Sequence, residues 1–114
     1  MGRHGYLSAV EGLPRGSALL VVKRGPNAGA RFLLDRPTTS AGRHSNSDIV
    51  LDDATVSARH VEFRWENDEL YVVDLGSLGG TYVNRELVES ATLANGDKIY
   101  LGIFCLVVLK SRGD

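Results

Sequence analysis

The segment His60-Val61-Glu62-Phe63-Arg64-Trp65 alternates between polar and apolar side chains without a break. Successive side chains of an extended chain point to opposite faces, so a period of two marks a half-buried strand. Val61, Phe63 and Trp65 then share the core face, and His60, Glu62 and Arg64 the other. The strand stops at the turn residues Asn67-Asp68, and Glu69 to Leu75 runs back beside it.

The same pattern extends in both directions. Leu19-Leu20-Val21-Val22 is a short apolar run closed by Gly25-Pro26-Asn27-Ala28-Gly29, with Arg31-Phe32-Leu33-Leu34 as its hairpin partner. Asn95-Gly96 carries the chemistry of a hairpin turn, since glycine tolerates positive φ and asparagine is enriched there. Ile103 to Leu109 is apolar at nearly every position, which predicts a central strand covered on both faces. Cys105 inside it reads as a small buried hydrophobe. No stretch has helical periodicity. The reading is therefore all-β: about eleven short strands in two packed antiparallel sheets over residues 18–110. Residues 1–17 read as a flexible N-terminal arm and residues 111–114 as a C-terminal tail. The loops of a sandwich gather at its ends, so a site is assembled from several of them.

Composition narrows the function. Thirteen basic against fourteen acidic residues give a formal net charge of -1, which argues against general binding to nucleic acid or an anionic membrane. A single cysteine excludes an intrachain disulfide and any zinc site built on paired cysteines. No apolar run is long enough to span a bilayer, and no secretory signal pattern opens the chain, so the expectation is a soluble cytoplasmic domain. The histidines His4, His44 and His60 share no metal-ligand spacing, and neither a nucleophile elbow nor a P-loop is present. The expectation is a protein that is not an enzyme and needs no cofactor. The terminal Arg112-Gly113-Asp114 matches an integrin-binding tripeptide, but three residues coincide too easily by chance to carry weight.

Three segments gather donors into connections between strands. They are Ser40-Ala41-Gly42-Arg43, Thr55-Val56-Ser57-Ala58-Arg59-His60 and Ser77-Leu78-Gly79-Gly80-Thr81-Tyr82-Val83-Asn84. Arginine offers a planar fork that fits phosphate oxygens, serine adds a hydroxyl donor, and glycine loops expose backbone N–H groups to an anion. Taken singly, each also reads as a solvated turn.

In their order and spacing, Gly42-Arg43, Asp48-Ile49-x-Leu51, Val56-Ser57-x-x-His60 and Asp74-Leu75-x-Ser77-x-x-Gly80-Thr81-x-x-Asn84 resemble the forkhead-associated (FHA) domain. The resemblance covers about residues 18 to 110. It implies an eleven-stranded β-sandwich that binds phosphothreonine peptides through loops at one end, downstream of a Ser/Thr protein kinase. Arg43 then corresponds to the phosphate-binding arginine and Ser57 to the hydroxyl donor. Arg59 adds charge toward the phosphate or acidic peptide residues, and Leu78 and Gly79 flank the phosphothreonine. Gly42, His60, Ser77, Gly80, Thr81 and Asn84 support the loops. The family usually has Asn-Gly-Thr where this chain has Gly79-Gly80-Thr81; the missing amide removes a hydrogen bond to the peptide backbone, a loss of about 1 kcal/mol.

Stretches such as Gly16-Ser17-Ala18-Leu19-Leu20-Val21-Val22-Lys23-Arg24-Gly25-Pro26-Asn27-Ala28-Gly29 resemble small actinobacterial regulators within that family. That likeness implies control of 2-oxoglutarate dehydrogenase or glutamate dehydrogenase, with kinase phosphorylation of an N-terminal tail as the switch. Residues 1–17 contain Ser8 and Ser17 but no threonine, so the switch lacks its acceptor within this segment. Two functions stay open: a phosphothreonine-dependent adaptor, and an inhibitor that docks on a metabolic enzyme through the same loop face without phosphate.

Overall fold

The computed structural model describes residues 12–14 and 16–111. The expectations placed on residues 1–11, on Arg15 and on 112–114, the terminal tripeptide included, lie outside the described residues. Eleven strands form: β1 (Ala18–Arg24), β2 (Arg31–Leu34), β3 (Thr38–Gly42), β4 (Ile49–Val50), β5 (Val61–Glu66), β6 (Glu69–Asp74), β7 (Thr81–Val83), β8 (Glu86–Val88), β9 (Ser90–Thr92), β10 (Lys98–Leu101) and β11 (Phe104–Lys110). One sheet has the order β2-β1-β11-β10-β7-β8 and the other β4-β3-β5-β6-β9.

Between the sheets lies one core, to which both contribute alternate residues. Val61 and Phe63 of β5 meet Leu20, Val22, Leu106 and Val108 of β1 and β11 there. Burying a side chain of this size contributes about 1.5–3 kcal/mol. Trp65 packs half-buried at the core margin and donates its indole N–H to the Leu34 carbonyl at 3.0 Å. On the outer side of β5, Arg64 and Glu62 pair at 2.7 Å. β11 is buried on both faces, with Val107 and Leu109 joining Val21 in a second small cluster. Cys105 of β11 is buried as a free thiol.

Four expectations need correction. The sheets are not wholly antiparallel, because β4 runs parallel to β3 through the pairs Ala41↔Ile49 and Gly42↔Val50. Only the last two residues of β3 pair with β4, so the loop 43–48 doubles back and no long crossover is required. The Asp48 carboxylate fastens this return by accepting the Ser40 N–H at 2.8 Å. Asn95-Gly96 makes a tight turn but no hairpin, since β9 before it and β10 after it belong to different sheets. The last strand begins at Phe104; Gly102 has a positive φ, and Ile103 in the turn is exposed. Finally, the third donor-rich segment is not all loop, for Thr81–Val83 is β7.

Candidate functional site

The end of β3 is fixed by contact with another loop. A Cβ on Gly42 would collide with the Ala58 carbonyl oxygen, so only glycine lets the two backbones approach. Beyond it, Arg43 N–H and His44 N–H donate to the carbonyls of Ser57 and Ala58 at 3.0 and 3.1 Å. The Arg43 side chain turns the same way, and its Nε donates to the Val56 carbonyl at 3.0 Å. That bond orients the guanidinium plane and leaves its two terminal nitrogens without a partner among the described residues.

Ser57 and His60 join this loop to the segment after β6. The Ser57 N–H donates to His60 Nδ1 at 3.1 Å, and His60 Nε2 lies 2.9 Å from the Gly80 carbonyl. An amide can only donate and a carbonyl only accept, so the ring is neutral with its proton on Nε2. His60 is fully buried. Alternation placed it beside Glu62 and Arg64 on the wet face. Instead it stands one residue before β5, where the chain turns its ring inward between the two loops. The Leu78 N–H donates to Ser57 Oγ at 3.0 Å, so the hydroxyl keeps its own hydrogen to offer elsewhere.

Asp74 holds the third loop. Its Oδ1 accepts the N–H groups of Gly76 and Ser77 at 2.7 and 2.8 Å. Its Oδ2 accepts the hydroxyls of Ser77 and Thr81, both at 2.6 Å. Ser77 Oγ in turn accepts the Gly80 N–H at 3.0 Å. Burial pushes the Asp74 carboxyl up, but these hydrogen bonds outweigh it and hold the group below its ordinary value. Asp48 is also held low, chiefly by the Ser40 N–H, as is Asp53 by the Thr55 hydroxyl and then its N–H. None of these groups belongs to a cluster suited to a metal, and no such cluster occurs among the described residues.

Arg43, Ser57, His60, Ser77, Leu78, Gly80 and Thr81 thus belong to one hydrogen-bonded assembly of three loops, and Gly79 lies between Leu78 and Gly80 in the third. At its surface the Leu78 side chain is fully exposed. Arg59 is exposed and lines a groove of about 510 Å³ with His44, Ser40 and Asp48, on the outer side of the β3–β5 pair. Asn84 stands apart, at the far end of β7 from Gly80. It accepts the Lys98 N–H at 3.0 Å and donates to Asp97 at 2.8 Å, so it supports the β7–β8 turn rather than the loop assembly.

A profile of the FHA domain matches residues 39–102, from within β3 to the turn before β11. The chain belongs to the FHA family. Its relatives include the glycogen accumulation regulator GarA of Mycolicibacterium smegmatis, 71% identical over 108 residues, which cover 95% of this chain and 68% of that protein. The oxoglutarate dehydrogenase inhibitor of Corynebacterium glutamicum is 65% identical over 102 residues, covering 90% of this chain and 71% of that one. Among solved structures, an FHA domain studied for phosphothreonine-dependent interactions superposes with a TM-score of 0.75 at 33% identity, over 82% of this chain and 95% of that one.

Within this FHA fold, the chain's departure from Asn-Gly-Thr falls at an open position. A Cβ on Gly79 would meet only the Thr55 carbonyl, at 3.8 Å, and its φ is not left-handed. Gly80 differs: its φ is 85° and a Cβ would press on Leu87. Sequence reasoning gave no role to Asp74 or to the Val56 carbonyl. Asp74 was visible as a residue of the FHA pattern, and Asp followed by closely spaced hydroxyls is a signal of loop capping. The Val56 carbonyl leaves no signal, because any residue supplies one.

Proposed function

We propose that this chain is a phosphothreonine-reading signalling module whose phosphate grip is Arg43 and Ser57. The observation that carries this is the half-used state of both groups. Arg43 has committed Nε to Val56 and points two free nitrogens outward, while Ser57 has accepted from Leu78 and retains a hydroxyl hydrogen. A phosphate supplies the acceptors both lack. Each charge-assisted bond contributes about 1.5–3 kcal/mol net. Two or three of them, with contacts to the peptide backbone, reach the roughly 8 kcal/mol of micromolar binding.

The module acts downstream of a Ser/Thr protein kinase, in the cytoplasm and without catalysis of its own. Its target in metabolism is oxoglutarate dehydrogenase, or glutamate dehydrogenase in the same role; the relative named an oxoglutarate dehydrogenase inhibitor supports this assignment. Arg59 contributes charge beside the peptide rather than a phosphate bond, consistent with its place in the neighbouring groove. The test is calorimetric titration with a degenerate phosphothreonine peptide pool against the same pool unphosphorylated. Micromolar binding of the first alone supports the reading, and equal or absent binding overturns it.

A second reading is favoured by one observation. The loop that would face a ligand presents a fully exposed leucine, Leu78, beside a glycine that offers no side-chain amide. Such a surface suits docking on a folded enzyme without phosphate.

A further inference from the structure

One side of the sandwich is bordered by two edge strands, β2 of the six-stranded sheet and β4 of the five-stranded one. Both are short, with four residues in β2 and two in β4. Between them lies a cavity of about 250 Å³. Arg31 and Phe32 of β2, Arg36 of the β2–β3 connection, Thr39 of β3, Ile49 of β4 and Asp48 before it line this space. None of Arg43, Ser57 and Arg59 does, so the cavity is separate from the phosphate grip.

Thr39 is only 8% exposed, yet its hydroxyl has no hydrogen-bond partner among the described residues. A buried hydroxyl is ordinarily paired, and the cavity is the space open to this one. Arg31 and Arg36 add two guanidinium groups, neither with an ion-pair partner among the described residues. Asp48 is the opposing charge, held low by the Ser40 N–H and, more weakly, by the Arg36 charge. Two cations against one anion leave room for one further negative charge. A carboxylate carries one, and its two oxygens match a guanidinium fork. A phosphate group carries nearly two at neutral pH and would meet Asp48 with correspondingly more repulsion. Phe32 and Ile49 supply an apolar wall on which a short hydrocarbon chain could lie.

We propose that this cavity is a second ligand site, which takes a small organic carboxylate with a short apolar chain. Arg31 and Arg36 hold the carboxylate, the Thr39 hydroxyl donates to it, and the chain packs on Phe32 and Ile49. The site goes beyond the phosphothreonine reading and does not depend on it, since the two share no residue. They are neighbours through Asp48, which lines the cavity and also fastens the return of the loop that carries Arg43.

The test is an NMR titration of the full chain with sodium butyrate, and separately with inorganic phosphate and with sodium chloride, at constant ionic strength. Butyrate is expected to give saturable shifts at Arg31, Arg36, Thr39 and Ile49, with a dissociation constant of about a millimolar for so small a probe. Arg31→Gln and Arg36→Gln are each expected to weaken butyrate by about tenfold, the worth of one charge-assisted bond. Thr39→Val is expected to weaken it several-fold while raising the melting temperature, because it deletes an unpaired buried hydroxyl. A merely structural threonine would not move those two readouts in opposite directions. Butyrate shifts no larger than those of chloride, or gathered at Arg43 and Ser57, would overturn the site. So would undiminished butyrate binding in either arginine variant or in Thr39→Val. Phosphate shifts at Arg31, Arg36 and Thr39 as large as those of butyrate would overturn the assignment of a carboxylate.

Discussion

Ser57 Oγ accepts the backbone N–H of Leu78 at 3.0 Å, across 21 residues of sequence. One hydroxyl thereby ties two loops together and remains able to donate to a ligand. Ser57→Ala removes both functions. Arg43→Ala removes only the cation and the bond from its Nε to Val56. Both are expected to weaken phosphothreonine-peptide binding by about tenfold or more, the worth of one charge-assisted bond. Calorimetry measures that loss. Amide hydrogen exchange separates the two variants: exchange at Leu78 is expected to quicken in Ser57→Ala and to stay unchanged in Arg43→Ala. Full affinity in either variant would sink the site assignment.

The adjacent glycines 79 and 80 are expected to answer substitution in opposite ways. Gly79→Asn places its Cβ in open space on an ordinary backbone, and restores an amide able to reach the peptide. A gain of about 1 kcal/mol, roughly fivefold in affinity, is expected from one added hydrogen bond. Gly80→Ala meets a φ of 85° and puts a Cβ 2.8 Å from Leu87. It is expected to lower stability by about 1 kcal/mol or more. Calorimetry and thermal melting of the two variants check the contrast; a Gly79→Asn variant that binds no better would remove the missing asparagine as a source of weakness.

How much of this was legible in the sequence depended on how local the cause was. The alternation of Val61, Phe63 and Trp65 named a strand and its buried face, because period two follows from backbone geometry alone. His60 broke the same pattern, since its partners Ser57 and Gly80 come together only when two loops meet. Asn95-Gly96 announced a turn, but local φ preference does not say which sheet the next strand joins. Gly42 was readable as a pattern residue, whereas its physical reason, the Ala58 carbonyl against its α-carbon, is a tertiary contact.

A third expectation concerns strain outside the site. The β7–β8 turn places Asn84 at φ 50° and Arg85 at φ 85°. Asn84 is compensated by its bonds to Lys98 and Asp97, and asparagine tolerates this region. Arg85 makes no hydrogen bond among the described residues and carries the left-handed penalty of a residue with a Cβ. Arg85→Gly is expected to stabilise the fold by about 0.5–1 kcal/mol, part of the relief being offset by the added freedom of the unfolded chain. Chemical denaturation reads this directly, and an unchanged or lower midpoint would show that Arg85 is held by something other than the turn.

The acid limit of the fold should lie with Asp74. Burial raises its pKa, but the bonds from Ser77, Thr81 and Gly76 lower it further, so the folded value sits below the unfolded one. A carboxyl of this kind binds more protons unfolded than folded at mildly acidic pH, so stability rises with pH there. Its contribution is complete above the unfolded value, near 4, and is lost as pH falls through the folded value. Asp74→Ala deletes that contribution and leaves the Ser77 and Thr81 hydroxyls and two amides without their acceptor. A cost of about 2–4 kcal/mol at pH 7 is expected, less than the sum of four charged bonds because the group is partly solvated. Denaturation midpoints between pH 7 and pH 3 check both parts. The wild-type chain should lose stability steeply below about pH 4, and the variant, already weaker at pH 7, should lose less over the same range. Parallel pH profiles for the two proteins would show that the acid response belongs to other carboxylates, of which Asp48 and Asp53 are also held low.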